Sequence, residues 1–425
     1  VESSDHFTDS PFLATPRKTT MAKSEKKKWA FAPRFRRNAF GWRSQPAIAR
    51  VKQAVSEIKK CARSDPTLSA DGAVLFLEKL SPALAHVDSS SGAIGTAVNH
   101  AIRDLVPIIA SAPADEKTRN AWLERLWEAH AADEIPYIEL LADYWGELCA
   151  SKEVASTWAD RLVGITRMAL SPDKELRGHF HGTTACLSAL YFAERYAEVV
   201  DILAVESFWP YKRWAVRALA AMGNKAEAIR TAEGCRGPWA SDQDIDSLCE
   251  EVLLDSGLAD EAYRRYGLGA NRAGTYLAWF RAVARKYPDR CASEVLADLV
   301  ASTPGDEGKW FAAAKSAGLY DEAVRLALRT PCDPRTLTRA ARDFAEKNPP
   351  FAIEAGLAAL HWLVQGYGYE ITGADVWAAY SNTLKAAEHN GTVDSTKERI
   401  RRLVESETFG QRFVTEVLGR ELGLR

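Results

Sequence analysis

Gly257-Leu258-Ala259-Asp260-Glu261-Ala262-Tyr263-Arg264 returns 61 residues later as Gly318-Leu319-Tyr320-Asp321-Glu322-Ala323-Val324-Arg325. The correspondence runs without a gap from Gly257–Val300 to Gly318–His361, with 14 identities in 44 positions, among them Thr275/Thr336, Arg281/Arg342, Pro288/Pro349 and Leu299/Leu360. The residue types say what recurs. A glycine ends one helix in the left-handed conformation, and the acidic pair after it favours the positive N-terminus of the next helix. Ala262 and Ala323 are small where two helices approach closely, and Pro288 and Pro349 stop a third helix before a fourth begins. The 61-residue unit therefore holds two helical hairpins, with Gly257 and Gly318 expected at equivalent turns.

Outward from this unit, apolar residues spaced at i, i+3 and i+4 recur from Ile48 to Leu422, whereas alternating β-branched runs bounded by turn dipeptides do not occur. The fold class is all-α, an α-solenoid of stacked helical hairpins, and helices are expected over most of residues 46–425. A shorter echo lies upstream, where Gly223-Asn224-Lys225-Ala226-Glu227-Ala228-Ile229 precedes the Gly257 segment by 34 residues, and Glu194–Val200 repeats the pattern without its glycine. This period resembles that of tetratricopeptide proteins over roughly residues 180–330, with a degenerate tryptophan, tyrosine and proline signature. The resemblance implies a tetratricopeptide-like superhelix in which the first helix of each hairpin lines a groove.

The segments GAVLFLEKLSPALAHVDSSSGAIGTAV (72–98), STPGDEGKWFAAAKSAGLYDEA (302–323) and GYGYEITGADVWAAY (366–380) resemble a widespread bacterial family of unknown function with a helical-repeat C-terminal half. That likeness spans the chain from about Lys28 onward and implies no catalytic residues. The domain reading is a basic and aromatic N-terminal arm, partly disordered, over 1–45, an N-terminal helical region over 46–170 and tetratricopeptide-like repeats over 171–425. The first methionine is Met21, and the residues before it read as an upstream extension.

With 425 residues, 47% hydrophobic and 26% charged, the chain has enough apolar content for a large core or a long stack of small ones. Its longest apolar stretches, such as Phe351–Val364, contain polar residues and fall short of the roughly 20 residues that cross a bilayer. The first twenty residues carry Glu2, Asp5 and Asp9 without an apolar core, so a cytoplasmic location is expected. The seven scattered cysteines form no C-x-x-C pair, which argues for reduced, buried helix residues over a disulfide framework or a zinc site.

Charge is uneven. From Arg17 to Arg63 fifteen basic residues face only Glu25 and Glu57, a balance of +13 that leaves −15 on the rest of a chain whose net charge is −2. Trp29, Phe31, Phe35, Phe40 and Trp42 are interleaved with Lys26, Lys27, Lys28, Arg34, Arg36, Arg37 and Arg43, the candidates for polyanion binding. Such a mixture can neutralise phosphates and stack on bases. Alternatively the arm folds back as a cap on the end of the solenoid, with Trp29, Phe35 and Trp42 buried. Ser44, able to cap a helix that Pro46 begins, favours the cap.

Chemistry-bearing patterns are few. His179 and His181 in Gly-His-Phe-His-Gly could ligate a metal, but i and i+2 diverge on a helix, and two partly buried histidines at a helix start are expected. Ser89-Ser90-Ser91-Gly92 lacks the lysine of a phosphate loop, and Asp88 or a following serine is read as a helix N-cap. No metal, cofactor or catalytic residue is therefore assigned. For a partner, Tyr211, Arg213, Trp214 and Arg217 form the best candidate surface, because two arginines four apart share a helix face and can clamp a carboxylate. Tyr367 and Tyr369 precede a capping box, Thr372-x-x-Asp375, and are further candidates, with core packing as their expected role. The function expected is a non-catalytic scaffold binding a protein segment in its groove, with association of the basic arm (residues 17–63) with nucleic acid or an acidic surface as the alternative and an unrecognised enzyme as the second.

Overall fold

A computed structural model of the chain describes residues 28–173, 175, 177–408, 410 and 412–424. Among them every regular element is helical and there is no strand. Contacts divide the chain into two compact units, Val1–Arg195 and Tyr196–Arg425.

The first unit holds α1 (Ser44–Ala62), α2 (Pro66–Leu84), α3 (Ala93–Ser111), α4 (Glu116–Ala131), α5 (Trp145–Cys149), α6 (Lys152–Ala169) and α7 (Thr183–Phe192). Contacts run α1 to α2 and α3, α2 to α4, α3 to α5, and α5 and α6 to α7. Trp145 and Trp158 meet edge to face at 5.1 Å in its core. The second unit holds α8 (Tyr196–Ile202), α9 (Trp209–Ala221), α10 (Lys225–Glu233), α11 (Asp242–Leu254), α12 (Ala259–Ala262), a π turn over Tyr263–Gly267, and α13 (Leu268–Ala270). It continues through α14 (Tyr276–Lys286), α15 (Ala292–Ala301), α16 (Phe311–Ser316), α17 (Tyr320–Arg329), α18 (Pro334–Phe344) and α19 (Pro349–Val364). The last helices are α20 (Gly373–Asn390), α21 (Val393–Glu405) and α22 (Phe413–Leu418). Each packs on helices one to three places away in the chain: α9 on α10, α14 on α15 and α16, α17 on α19, and α19 on α18, α20 and α21.

The two glycines of the repeat do the same job. Gly257 has φ +71° and Gly318 φ +75°. The Gly257 N–H donates to Leu254 O (2.9 Å) and the Leu258 N–H to Leu253 O (3.0 Å), while the Gly318 N–H donates to Lys315 O (3.1 Å) and the Leu319 N–H to Ala314 O (3.0 Å). These two bonds satisfy the carbonyls a helix end leaves open. Gly223, φ +85°, repeats them with Ala220 and Leu219, and at the echo without glycine Glu194 takes the same left-handed conformation at φ +60°. Ala262 and Ala323 are both fully buried at the next helix, as close approach requires.

No atom lies within 4 Å of where a Gly318 Cβ would stand, so a substitution there meets backbone strain alone. Gly318→Val is expected to destabilise the second unit by about 1 kcal/mol or more, because a β-branched residue is strained at positive φ. A thermal melt coinciding with the parent's would contradict this.

Other equivalences are looser. Thr275 caps α14 by accepting the Ala278 N–H at 3.1 Å, but Thr336 caps nothing. There the Asp333 carboxylate accepts the Arg335 and Thr336 N–H groups at 3.3 and 3.0 Å, and Pro334 takes the first helical position, so α18 starts before the equivalent threonine. Pro288 sits in a turn, whereas Pro349 opens α19 behind Asn348, which caps Phe351 at 3.3 Å. Of the cysteines, Cys61, Cys149, Cys186, Cys249 and Cys332 are buried, Cys235 is half-buried, and Cys291 is exposed, against expectation. No described helix is long and apolar enough to cross a membrane.

Candidate polyanion-binding face

The arm begins, among the described residues, at Lys28, and it is docked on α1 and α2. Trp29, Phe31 and Phe35 are buried, Phe35 to 1% exposure. Phe76 of α2 is the anchor: Phe31 meets it edge-on at 5.5 Å and Phe35 at 5.0 Å, while Phe40 closes on Phe35 at 5.3 Å. Offset and edge-to-face pairs of this kind contribute about 0.5–1.5 kcal/mol each beyond area burial. The backbone is tied as well. The half-buried Glu57 carboxylate of α1 accepts the N–H groups of Ala30 (2.9 Å) and Phe31 (3.2 Å). Pro82 O, left open as α2 ends at Leu84, accepts the Asn38 N–H at 2.9 Å, and Trp42 O accepts the Asp88 N–H at 2.9 Å.

Gly72 of α2 makes room for this docking, since a Cβ there would overlap the Trp29 indole. In an ordinary helix Gly→Ala stabilises by about 0.5–1 kcal/mol. Here Gly72→Ala is expected to destabilise, because overpacking a rigid indole costs about 1–3 kcal/mol and displaces Trp29. The measurement is a thermal melt together with tryptophan emission, which should shift to the red. A raised melting point with unchanged emission would show that Trp29 does not sit there.

The burial expected of Trp29 and Phe35 is thus present, but Trp42 is 73% exposed. Trp42 is held through its backbone, where its carbonyl accepts the Asp88 N–H, and its ring stays in solvent. Ser44 does not cap either. The helix begins at Ser44 itself, Arg43 is the N-cap residue and makes no side-chain bond, and Pro46 occupies the first turn, where its missing N–H has no partner to lose.

Docking by aromatics leaves the cations outside. Lys28, Arg34, Arg36, Arg37, Arg43, Arg50, Lys52, Lys59, Lys60 and Arg63 are all exposed. Lys59 pairs with Asp104 of α3 at 2.7 Å. Arg34 and Arg50 reach only the neutral Gln53, at 3.5 and 2.9 Å, and among the described residues none of the nine other than Lys59 has an acidic partner within salt-bridge distance. Lys26 and Lys27 lie outside the described residues. Elsewhere in the same unit the pattern is different: Arg125 is bound by Asp71 and Glu78, and Arg161 by Glu124. Between α1 and α3 a groove of about 650 Å³ is lined by Lys52, Lys59, Lys60, Arg63, His100 and Asp104 and continues the basic face. The residues that build it but escaped the sequence reading are Gly72, Phe76 and Glu57. Only Glu57 carried a signal, as one of two acids within a run of cations.

The other candidates are placed differently. Trp214 is 4% exposed and offers no accessible ring. Arg213 and Arg217 lie over it, with guanidinium carbons 5.8 and 5.5 Å from its ring, and the Arg213 Nε donates to Pro210 O at 2.9 Å. Tyr211 is half-buried against Phe208 at 5.3 Å. Tyr367 and Tyr369, expected in the core, are exposed by 46% and 79% on the loop before α20. Asp375 does accept the Thr372 N–H at 2.9 Å as the capping box requires. His179 and His181 are exposed, not partly buried, and lie in irregular chain before α7, where the two rings turn together at 4.9 Å. The buried histidine is His130, whose ring lies 6.3 Å from that of His181 and whose protonation is disfavoured chiefly by burial. Among the described residues no three ligand side chains gather as a metal site would require. The N-cap of α3 is Gly92, at φ +69°, while Asp88 accepts the Ser90 N–H at 3.0 Å within the preceding turn.

Burial pushes the thiols of Cys149 and Cys332 up to about 12 and that of Cys249 up to about 11. Comparison of the chain with protein-family models, with curated proteins and with solved structures finds no match to any of them.

Proposed function

We propose that the chain is a non-catalytic helical-repeat scaffold, an α-solenoid of tetratricopeptide-like hairpins akin to the bacterial family its segments resemble. Its N-terminal cap holds a single-stranded nucleic acid on a preformed basic face. Support for the solenoid is that helices of the second unit pack on near neighbours in sequence and that Gly223, Gly257 and Gly318 close equivalent turns.

The observation that carries the function is the set of nine exposed cations without an acidic partner among the described residues, whereas Arg125, Arg161 and Arg195 of the same unit are ion-paired. Cap and nucleic-acid arm are not competing states of one segment. The aromatics fix the arm, and fixing it sets the arginines outward, so the order needed for binding is present before the ligand arrives. Exposed Trp42 beside Arg43 supplies an aromatic plane next to a phosphate-neutralising charge, the pairing that single-strand binding uses.

The test is fluorescence anisotropy of a labelled 20-nucleotide single strand with the full chain and with the fourfold variant Arg34→Gln, Arg36→Gln, Arg37→Gln, Arg43→Gln. These side chains are exposed, so melting should be unchanged while affinity falls at least tenfold. Equal affinity of the two proteins, or tighter binding of polyglutamate than of the oligonucleotide, would refute the assignment.

A further inference from the structure

The last turn of α4 buries a histidine. His130 is 3% exposed, its Nε2 stands 3.3 Å from His181 O, and no protein group among the described residues pairs with its Nδ1. A carbonyl oxygen only accepts, so Nε2 carries the hydrogen and Nδ1 is bare. The neutral ring therefore satisfies the loop carbonyl. A second proton would have to enter at Nδ1, where no protein group accepts it.

His181 belongs to the irregular stretch 177–182 that leads into α7, and this stretch rests on α4. Gly182 is buried where the rings of Phe180 and Trp127 converge, and a Cβ there would overlap both. Trp127, three residues before His130, lies 6.1 Å from its ring and meets Trp145 at 5.5 Å and Trp158 at 5.9 Å. The ends of the stretch are held by the Gly178 N–H, which donates to Ala169 O at 3.2 Å, and the Thr183 N–H, which donates to Phe180 O at 3.1 Å. The bond from His130 to the His181 carbonyl is a polar tie across an aromatic seam.

Burial is the largest influence on the His130 imidazole and holds its protonation below a histidine's ordinary range. The His181 carbonyl, Asp133 and Glu139 favour the charged form and are outweighed. The Asp133 carboxylate already accepts the Ser81 hydroxyl and, at 2.8 Å, the Ile138 N–H. Glu139 stands exposed at the start of a 3-10 turn over Glu139–Tyr144. The His181 ring disfavours the charge, with the His179 ring 4.9 Å behind it. On α6, whose Trp158 meets Trp127, Arg161 is paired with Glu124.

We propose that His130 is an acid-sensitive latch. Neutral, it holds residues 177–182 on α4 through the His181 carbonyl; protonated, it lets them go and opens the tryptophan cluster beside it. With the stretch released the imidazole meets water and takes its proton near a histidine's ordinary value of about 6.5. With the stretch docked it takes the proton only at lower pH. The released state therefore binds more protons between these two values. Docking is fully favoured above about pH 6.5 and weakens as pH falls below it, by up to about tenfold per pH unit for one proton.

The test is amide exchange of the full chain at about pH 7.5 and about pH 5.5, each rate divided by that of an unstructured peptide at the same pH. The opening equilibrium read at Gly178 and Thr183 should rise by about threefold to tenfold at the lower pH, while protection of α1 to α3 stays as it is. His130→Gln offers a donor to His181 O without the titration, so the pH effect should vanish. The double variant His179→Gln, His181→Gln should keep it. An NMR titration of the His130 ring in the parent chain covers the case in which His130→Gln does not fold: ring protonation and loop exchange should follow one curve. Identical corrected exchange at the two pH values, a pH effect that persists in folded His130→Gln or is lost in the double variant, ring protonation without loop exchange, or loosening of α1 to α3 together with the loop would each overturn the proposal.

Discussion

Replacing Phe35 with alanine is expected to cost the first unit about 3–5 kcal/mol, the range for truncating a fully buried aromatic residue. Phe35 lies at the centre of the docked arm, with Phe31, Phe40 and Phe76 around it at 6.4, 5.3 and 5.0 Å. Its loss leaves a void bounded by three rings and removes what holds Arg34, Arg36 and Arg37 in place. Calorimetry should therefore record a lower transition for residues 28–195, and amide exchange over residues 29–42 should approach that of free peptide. A melting point within a degree of the parent would mean that the arm adds nothing to the fold, and the preformed basic face would lose its physical basis.

An effect of similar size is expected for Trp310→Ala in the second unit, about 3–5 kcal/mol. Trp310 is fully buried, packs against Tyr276 at 4.8 Å and Trp279 at 5.5 Å, and donates its indole N–H to Thr303 Oγ1 at 2.8 Å. Truncation also strands part of that hydroxyl's bonding. The distribution of the damage separates a stack of hairpins from one undivided core. In a stack each hairpin depends on its neighbours. Hydrogen exchange should thus accelerate first over α14 to α17 and leave α21 and α22 nearly untouched. Uniform loss of protection across Tyr196–Leu424 would favour an undivided core.

These two tryptophan and phenylalanine anchors differ in how readable they were. The turns at Gly257 and Gly318 could be located from residues alone because few side chains tolerate positive φ, so glycine followed by acidic residues marks the junction locally. Glu194 shows the limit of that rule: the same turn forms with a side chain in the left-handed region, because the helix ends around it fix the chain path. The Thr275/Thr336 identity misled for a similar reason. Asp333-Pro334 offers a better helix start three residues ahead, and the stronger cap won.

The basic face was half legible. Charge and aromatic content are properties of the arm itself and could be counted. Which rings are buried is not, because it depends on Phe76 and Gly72, whose place beside the arm follows only from the fold. Trp29, Phe31 and Phe35 dock and Trp42 does not, although nothing in their spacing distinguishes them. The tyrosines before α20 failed in the opposite direction. Apolar content favoured the core, but the loop that holds Gly366 and Gly368, both at positive φ, leaves Tyr369 in solvent. Long-range pairs such as His130 with His181 leave no mark in local sequence at all.

The salt dependence of single-strand binding by the full chain tests the central claim most directly. Phosphate neutralisation releases condensed counterions, so log affinity should fall linearly with log salt, with a slope of about −0.7 per phosphate contacted on a single strand. Removing the four arginines at 34, 36, 37 and 43 should reduce the magnitude of that slope by about 3 if each meets one phosphate. A flat dependence, or a slope that is the same with and without those arginines, would contradict the assignment of the docked arm as a nucleic-acid face.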